Sequence, residues 1–316
     1  MTLAVLYKLL AIVLVVVLGY GAGRLRWLGK AGEGDPARLL GNLAFMVFVP
    51  ALLFRTAVRI DFHTLPWRTL AAFFLPVVGT LLLVYASQRR QGGAAPSVRA
   101  ISATFGNSVQ IGIPMAAALF GEAGLAIHVT IVSLHALVLL SVVTTLVELD
   151  LARAAGTSTL RQTLATTVRN TVIHPVVLPM LAGLLFNALD LGLPLVLDET
   201  LQLLGGGVVP VCLVLIGLSL AQYGIGERLG ASLGVIVVKL LLLPALVLLV
   251  AHWGFGLSGL PLAVVVMISA VPVGSNALIF AQRYETLVAE TTGAIVLSTL
   301  AFALTAPLWL ALLARL

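Results

Sequence analysis

The chain has 316 residues, of which 60% are hydrophobic and only 9% charged, with a formal net charge of +6, whereas ordinary soluble domains carry about 25% charged residues. That composition excludes a water-soluble globular domain, and it makes the excess positive charge a matter of membrane topology and an anionic inner leaflet rather than of a nucleic-acid partner. A single cysteine, Cys212, excludes disulfides within the chain.

Apolar segments of about 20 residues, each long enough to cross about 30 Å of hydrocarbon as a helix, recur along the whole sequence. Ten spans are predicted, at 4–23, 38–57, 67–87, 98–119, 124–147, 169–188, 199–221, 228–251, 259–281 and 287–313. Helices are expected because an open strand cannot satisfy its backbone in lipid. Runs such as AIVLVVVLG (11–19) and VIVVKLLLLPALVLLV (235–250) also lack the alternation of a barrel strand.

The first span has no charged region before it and no small-residue cleavage site after it; Arg24, Arg26 and Lys30 follow it. It therefore reads as a retained span with its N-terminus outside, since Lys and Arg stay on the cytoplasmic side. Carried through ten spans, this places both termini outside. Twelve basic residues then fall on the inner side, against Arg55, Arg59 and Arg68 in one outer loop and the terminal Arg315. Lys8 and Lys239 fall within spans: Lys239 reads as a stem that snorkels to the cytoplasmic end or, alternatively, as a buried charge partner, and Lys8 reads the same way toward the outside.

The second span carries VPALLF (49–54) and the third FFLPVV (73–78). In the fourth, FGNSVQIGIP (105–114) gathers the poorest helix formers of an otherwise apolar stretch, with Gly106, Gly112 and Pro114 predicting a break at mid-membrane. His128 and His135 lie two helical turns apart on one face of the fifth span, where they serve either proton coupling or interhelical hydrogen bonds. Glu148, Asp150 and Asp61 read as solvated ends, which leaves no carboxylate relay in the centre of a span but leaves sodium coordination by carbonyls and hydroxyls open.

The polar interval DLARAAGTSTLRQTLATT (150–167) divides the chain into five spans on each side. In the second half, His174 precedes Pro175 in the sixth span, VPVCLV (209–214) lies in the seventh, LLLPAL (241–246) in the eighth and AVPVGSNAL (270–278) in the ninth. Pro50/Pro210, Pro76/Pro244 and Pro114/Pro272 are thus paired in order, at offsets of 160, 168 and 158 residues. With an odd number of spans in each half, this predicts one transmembrane domain made of two inverted repeats, 1–149 and 168–316, joined by a cytoplasmic loop.

Breaks in the fourth and ninth spans are expected to leave backbone amides and carbonyls over, which is tolerated at membrane depth only inside protein or beside a watery cavity. Half-helices starting near Pro114 and Ser275 would aim positive dipole ends at the midplane and favour an anion. Asn107, Ser108 and Gln110 beside one break, and Ser275 and Asn276 beside the other, are the predicted side chains for a carboxylate or a coupling ion; the alternative is that they cap the half-helices or bridge them by hydrogen bonds. Gly112, Pro114, Pro272 and Gly274 are the predicted crossover residues.

NLAFMVFVPALLF (42–54), FGNSVQIGIP (105–114), VPVCLVLIGLSL (209–220), KLLLLPAL (239–246), VPVGSNALIFAQRYE (271–285) and IVLSTLAFALTAP (295–307) together resemble the auxin efflux carrier family over the whole chain. That family includes bacterial malonate and other carboxylate permeases and the plant PIN exporters. The resemblance implies an all-α fold of ten helices in two inverted repeats, with the fourth and ninth crossing at proline breaks. It also implies substrate contacts by Asn107 and Asn276 and crossover at Pro114 and Pro272. The long cytoplasmic loop of many plant exporters has no counterpart here.

The function expected is secondary transport of a small organic anion, a carboxylate such as malonate or an auxin-like acid, with a homodimer formed through spans one, two, six and seven. A channel or membrane receptor is the alternative, with an intramembrane enzyme behind it. Without GxSxG, HExxH or a Cys/His cluster, no catalytic residue, metal or cofactor is expected, and without GxxxxGK[ST] no ATP hydrolysis.

Overall fold

The computed structural model describes residues 3–27, 35–59, 66–154, 177–223 and 229–316, with positions 169, 172, 173 and 175. Lys30, Asp61, His174, Arg228 and most of the predicted connecting loop lie outside the described residues, as do the side chains of Lys8, Gln110 and Pro114.

Among the described residues the chain is helical, with one isolated antiparallel β-bridge. In order, the helices are α1 (Leu3–Arg24), α2 (Pro36–Val58), α3 (Trp67–Gln88), α4 (Ala95–Thr104), α5 (113–120), α6 (122–154), α7 (Val177–Ala188), α8 (Leu195–Gly206), α9 (Val208–Tyr223), α10 (229–254), α11 (Gly259–Ala270), α12 (Ser275–Arg283) and α13 (Val288–Leu313). Gly121, at φ 63 and ψ −161, divides α5 from α6. Six stretches are long and apolar enough to cross a membrane: Pro36–Val58, Trp67–Gln91, Met115–Ala154, Leu195–Gln222, Ser232–Gly254 and Val288–Leu313. Leu14–Arg24, Val177–Ala188 and Gly259–Ala270 are shorter apolar helices within three further predicted spans.

Proline shapes these helices in a regular way. Three of the four five-residue π-turns among the described residues, Ala44–Phe48, Ser108–Gly112 and Val238–Leu242, each end two residues before a proline, Pro50, Pro114 and Pro244; the fourth, Val250–Gly254, does not. A proline ring collides with the carbonyl four residues back and offers no N–H, so the preceding turn widens to accommodate it. The matched prolines do not produce matched distortions, however. Pro76 sits in regular helix, whereas Pro210 follows an interruption at Gly207 between α8 and α9.

The helices pack in two groups. In one, α1 runs along α9 and α7 along α2. Glycine allows backbone to touch backbone there, since a Cβ on Gly217 would stand 2.1 Å from the Val16 carbonyl oxygen. In the other, α3 packs on α4, and α11 on α6, α10 and α13. Leu300, Leu304 and Leu308 lie on one face of α13, each more than 60% exposed, as a lipid-facing stripe requires.

A bond across the second group ties α4 to α13: Arg99 Nε donates to Glu290 Oε1 at 2.8 Å, with both side chains almost fully covered. Removing one member of such a pair leaves an uncompensated buried charge. Glu290→Ala is therefore expected to lower the melting temperature of the purified protein clearly more than Arg38→Ala, whose partner Glu285 is exposed.

Candidate functional site

α4 ends at Thr104 and α11 at Ala270, and in each case the next residue turns extended, Phe105 at φ −76 and ψ 112 and Val271 at φ −60 and ψ 151. The two extended segments meet in the antiparallel bridge between Gly106 and Val273. Asn107 N donates to the Pro272 carbonyl and Gly274 N to the Phe105 carbonyl, both at 2.8 Å. Val273 N donates to Ser298 Oγ at 3.0 Å, from fully buried Ser298 of α13. The expectation of leftover backbone groups is thus corrected: these segments satisfy several of each other's groups, which is how an open backbone is tolerated at depth.

The position of the first break also differs from the expected one. It lies at 105–107, ahead of Pro114, because Pro114 is accommodated by the π-turn Ser108–Gly112 and the chain is helical again from Ile113. Pro272 does lie in the second break, with Gly274 as the N-cap of α12. Close approach explains the glycines. A Cβ on Gly106 would stand 2.6 Å from Val271 Cγ2, and one on Gly274 would stand 2.8 Å from the Gly106 carbonyl oxygen and from Phe105 Cδ1.

Asn107 and Asn276 begin the two half-helices that leave the crossing. The Asn107 carbonyl accepts from Ile111 N at 3.3 Å and Gly112 N at 3.1 Å, yet its side chain makes no capping bond. Oδ1 of Asn107 and Oδ1 of Asn276 are both buried without a hydrogen-bond partner among the described residues. A buried polar atom left so is costly and rare. The Asn107 side chain therefore does not cap the half-helix, and neither carboxamide oxygen has its bond supplied by the described residues.

Ser108 links the crossing to α6. His128 Nε2 donates to the Ser108 carbonyl at 2.8 Å, and His135 Nδ1 lies 3.4 Å from Ser108 Oγ. The two histidines do share a face, and both are buried. Gly112 makes room for one of them, since a Cβ there would stand 2.7 Å from the His128 ring. His135 packs on Phe105, ring centroids 4.4 Å apart.

A cavity of about 530 Å³ opens on the crossing, within the range of small-molecule sites. Asn107, Ser108, Ser275, Asn276 and His135 supply its polar floor, and Leu52, Val129, Val132, Val208 and Val209 its apolar walls. Arg55 and Gln202 also line it. Arg55 Nε donates to Asp198 Oδ1 at 2.9 Å and Arg55 Nη2 to Gln202 Oε1 at 2.7 Å, while Arg59 shares the same carboxylate. Two guanidinium groups thus share one carboxylate beside the cavity, and of the three only Arg55 lines it.

The sequence did not single out Arg55, Gln202, Phe105 or Ser298 for the site. The departure of Arg55, Arg59 and Arg68 from the expected charge rule was the available signal for Arg55, and the Asp198 partnership explains how that charge is accommodated. Two further readings are corrected. Lys239 does not snorkel: its side chain is fully buried and Nζ donates to the Ser269 carbonyl at 2.5 Å, because the π-turn Val238–Leu242 carries it inward. Asp150 is not a solvated end either, being hydrogen-bonded at 2.8 Å by the Tyr85 hydroxyl and only 12% exposed.

The sequence profile of the membrane transport protein family matches residues 4–310. No curated protein matches the chain.

Proposed function

The chain belongs to the membrane transport protein family, which includes the auxin efflux carriers, and from that premise we propose that this multi-pass membrane transporter is a secondary carrier of a small organic anion, bound where the two broken helices cross. The observation that carries the reading is the pair of buried, unpartnered carboxamide oxygens of Asn107 and Asn276 on one cavity. Each carboxamide can present its NH₂ in place of its oxygen by a half-turn of its last torsion. It can therefore donate to a carboxylate, while the N-termini of the half-helices favour the same negative charge. The apolar walls suit the hydrocarbon part of a monocarboxylate, a malonate-like dicarboxylate or an indole acid.

The test is uptake of radiolabelled malonate by reconstituted vesicles, with unlabelled carboxylates, indole acids, amino acids and neutral amides as competitors. Saturable uptake suppressed by acids but not by neutral amides supports the proposal. Uptake that never saturates would favour a channel.

In the proposed mechanism the ten spans form two inverted repeats with both termini outside. The group containing α1, α2, α7 and α9 stays fixed, and in a homodimer touches its partner, while the crossing moves against it. Cys212 is fully buried, so the native chain gives little background in thiol labelling. Leu191→Cys, in the turn after α7, is expected to react with an impermeant reagent added outside whole cells. Reaction only after the membrane is opened would reverse the topology.

His135 is the proposed proton-linked group because it lines the cavity, whereas His128 is held on the Ser108 carbonyl and serves structure. His135→Gln should abolish the stimulation of uptake by an inward proton gradient and leave exchange of internal for external malonate intact. Uptake by the variant that still follows the gradient would remove His135 from that role.

A further inference from the structure

Lys239 is the one fully buried lysine or arginine among the described residues, and it makes no ion pair there. Its hydrogen bond goes to the Ser269 carbonyl, next to the last residue of α11. Ser269 Oγ is turned away, donating to the Val266 carbonyl at 2.6 Å. The last four carbonyls of a helix have no partner within it and carry the negative end of its dipole. The ammonium also backs directly on the crossing: a Cβ on Gly106 would stand 3.4 Å from Nζ and 3.5 Å from Cε. A buried charge without a countercharge is expensive and calls for a function.

Carbonyl ends of broken helices are where transporters that couple to ions coordinate their cation. We propose that the Lys239 ammonium is a built-in substitute for that cation: it occupies the carbonyl end of α11 behind the crossing, so that the protein carries its own positive charge beside the bound anion and takes up no sodium there. The proposal rests on the crossing as the transport site. It also gives Lys239 a positioning role, since the ammonium holds the end of α11 against Gly106 without touching the substrate cavity.

The test compares melting temperatures of the purified full-length protein in sodium, lithium, ethylammonium and choline chlorides at matched ionic strength, a readout that needs no substrate. Wild type and Lys239→Arg should melt at the same temperature in all four salts. Lys239→Ala should melt several degrees lower in choline and regain most of that loss in ethylammonium or sodium, since a small cation can enter the space the side chain left. Lys239→Met fills the space with apolar atoms and should show no such recovery.

Stabilisation of the wild type by sodium over choline overturns the proposal, as does a Lys239→Ala variant that no small cation restores. If Lys239→Ala gives no folded protein, the wild type and Lys239→Arg decide alone, indifference to sodium supporting the proposal and dependence on it overturning it. Malonate uptake is measured alongside. Its absence from every variant, wild type included, would count against the transport site, while the melting comparison still judges the ammonium.

Discussion

Asn107→Ala and Asn276→Ala are each expected to weaken binding of the transported anion by roughly tenfold to a hundredfold while leaving the fold intact. Both side chains face the cavity, and neither Oδ1 has a partner among the described residues, so truncation breaks no internal bond of these oxygens. What is lost is a hydrogen bond to a charged group, worth about 1.5–3 kcal/mol, and each 1.4 kcal/mol is about tenfold in affinity. Removing two unsatisfied buried acceptors should even leave the melting temperature of the empty protein unchanged or slightly raised. Affinity and melting are measured on the same purified samples. A drop in melting without a change in affinity would make the asparagines structural and move the site elsewhere.

Gly274→Val should disrupt both folding and transport. The first added carbon already stands 2.8 Å from both the Gly106 carbonyl oxygen and Phe105 Cδ1, and the carbonyl cannot yield, because Gly106 is held in the bridge to Val273 and its neighbour's carbonyl accepts from Gly274 N. Overpacking of this kind costs about 1–3 kcal/mol, and the cost is higher where it also parts hydrogen-bonded backbone at membrane depth. Little folded protein and no malonate uptake are expected. Gly79→Val is the control, since nothing lies within 4 Å of a Cβ there, and it should purify and transport as wild type does. Equal behaviour of the two variants would mean that the crossing does not constrain the fold.

The clustering of Gly106, Gly274 and Pro272 showed in the sequence where helices must fail, because glycine and proline act through local backbone chemistry that composition reveals. How the freed backbone is repaired was not legible. The bridge joins residues 106 and 273, a pairing across most of the chain that no local pattern encodes. Pro114 misled for a related reason: a proline disfavours regular helix at its own position, but a π-turn can absorb that penalty instead of a break.

Asn107 and Asn276 could be read from the sequence because polar amides in an apolar run are conspicuous. For Lys239 the sequence left two readings, because a long aliphatic stem permits either snorkelling or burial, and only the packing of α10 against α11 decides for burial. Arg55 and Gln202 were hidden because they lie near the ends of their helices, where charged and polar residues are ordinary.

The most direct measurement is a cryo-electron microscopy map of the protein with malonate bound. Ligand density is expected in the cavity between the crossing, α2, α6 and α8, with a carboxylate at hydrogen-bonding distance, about 2.7–3.2 Å, from the side-chain nitrogens of Asn107 and Asn276. Density seated elsewhere, with that cavity empty in a sample shown to bind malonate, would contradict the assignment of the crossing as the substrate site.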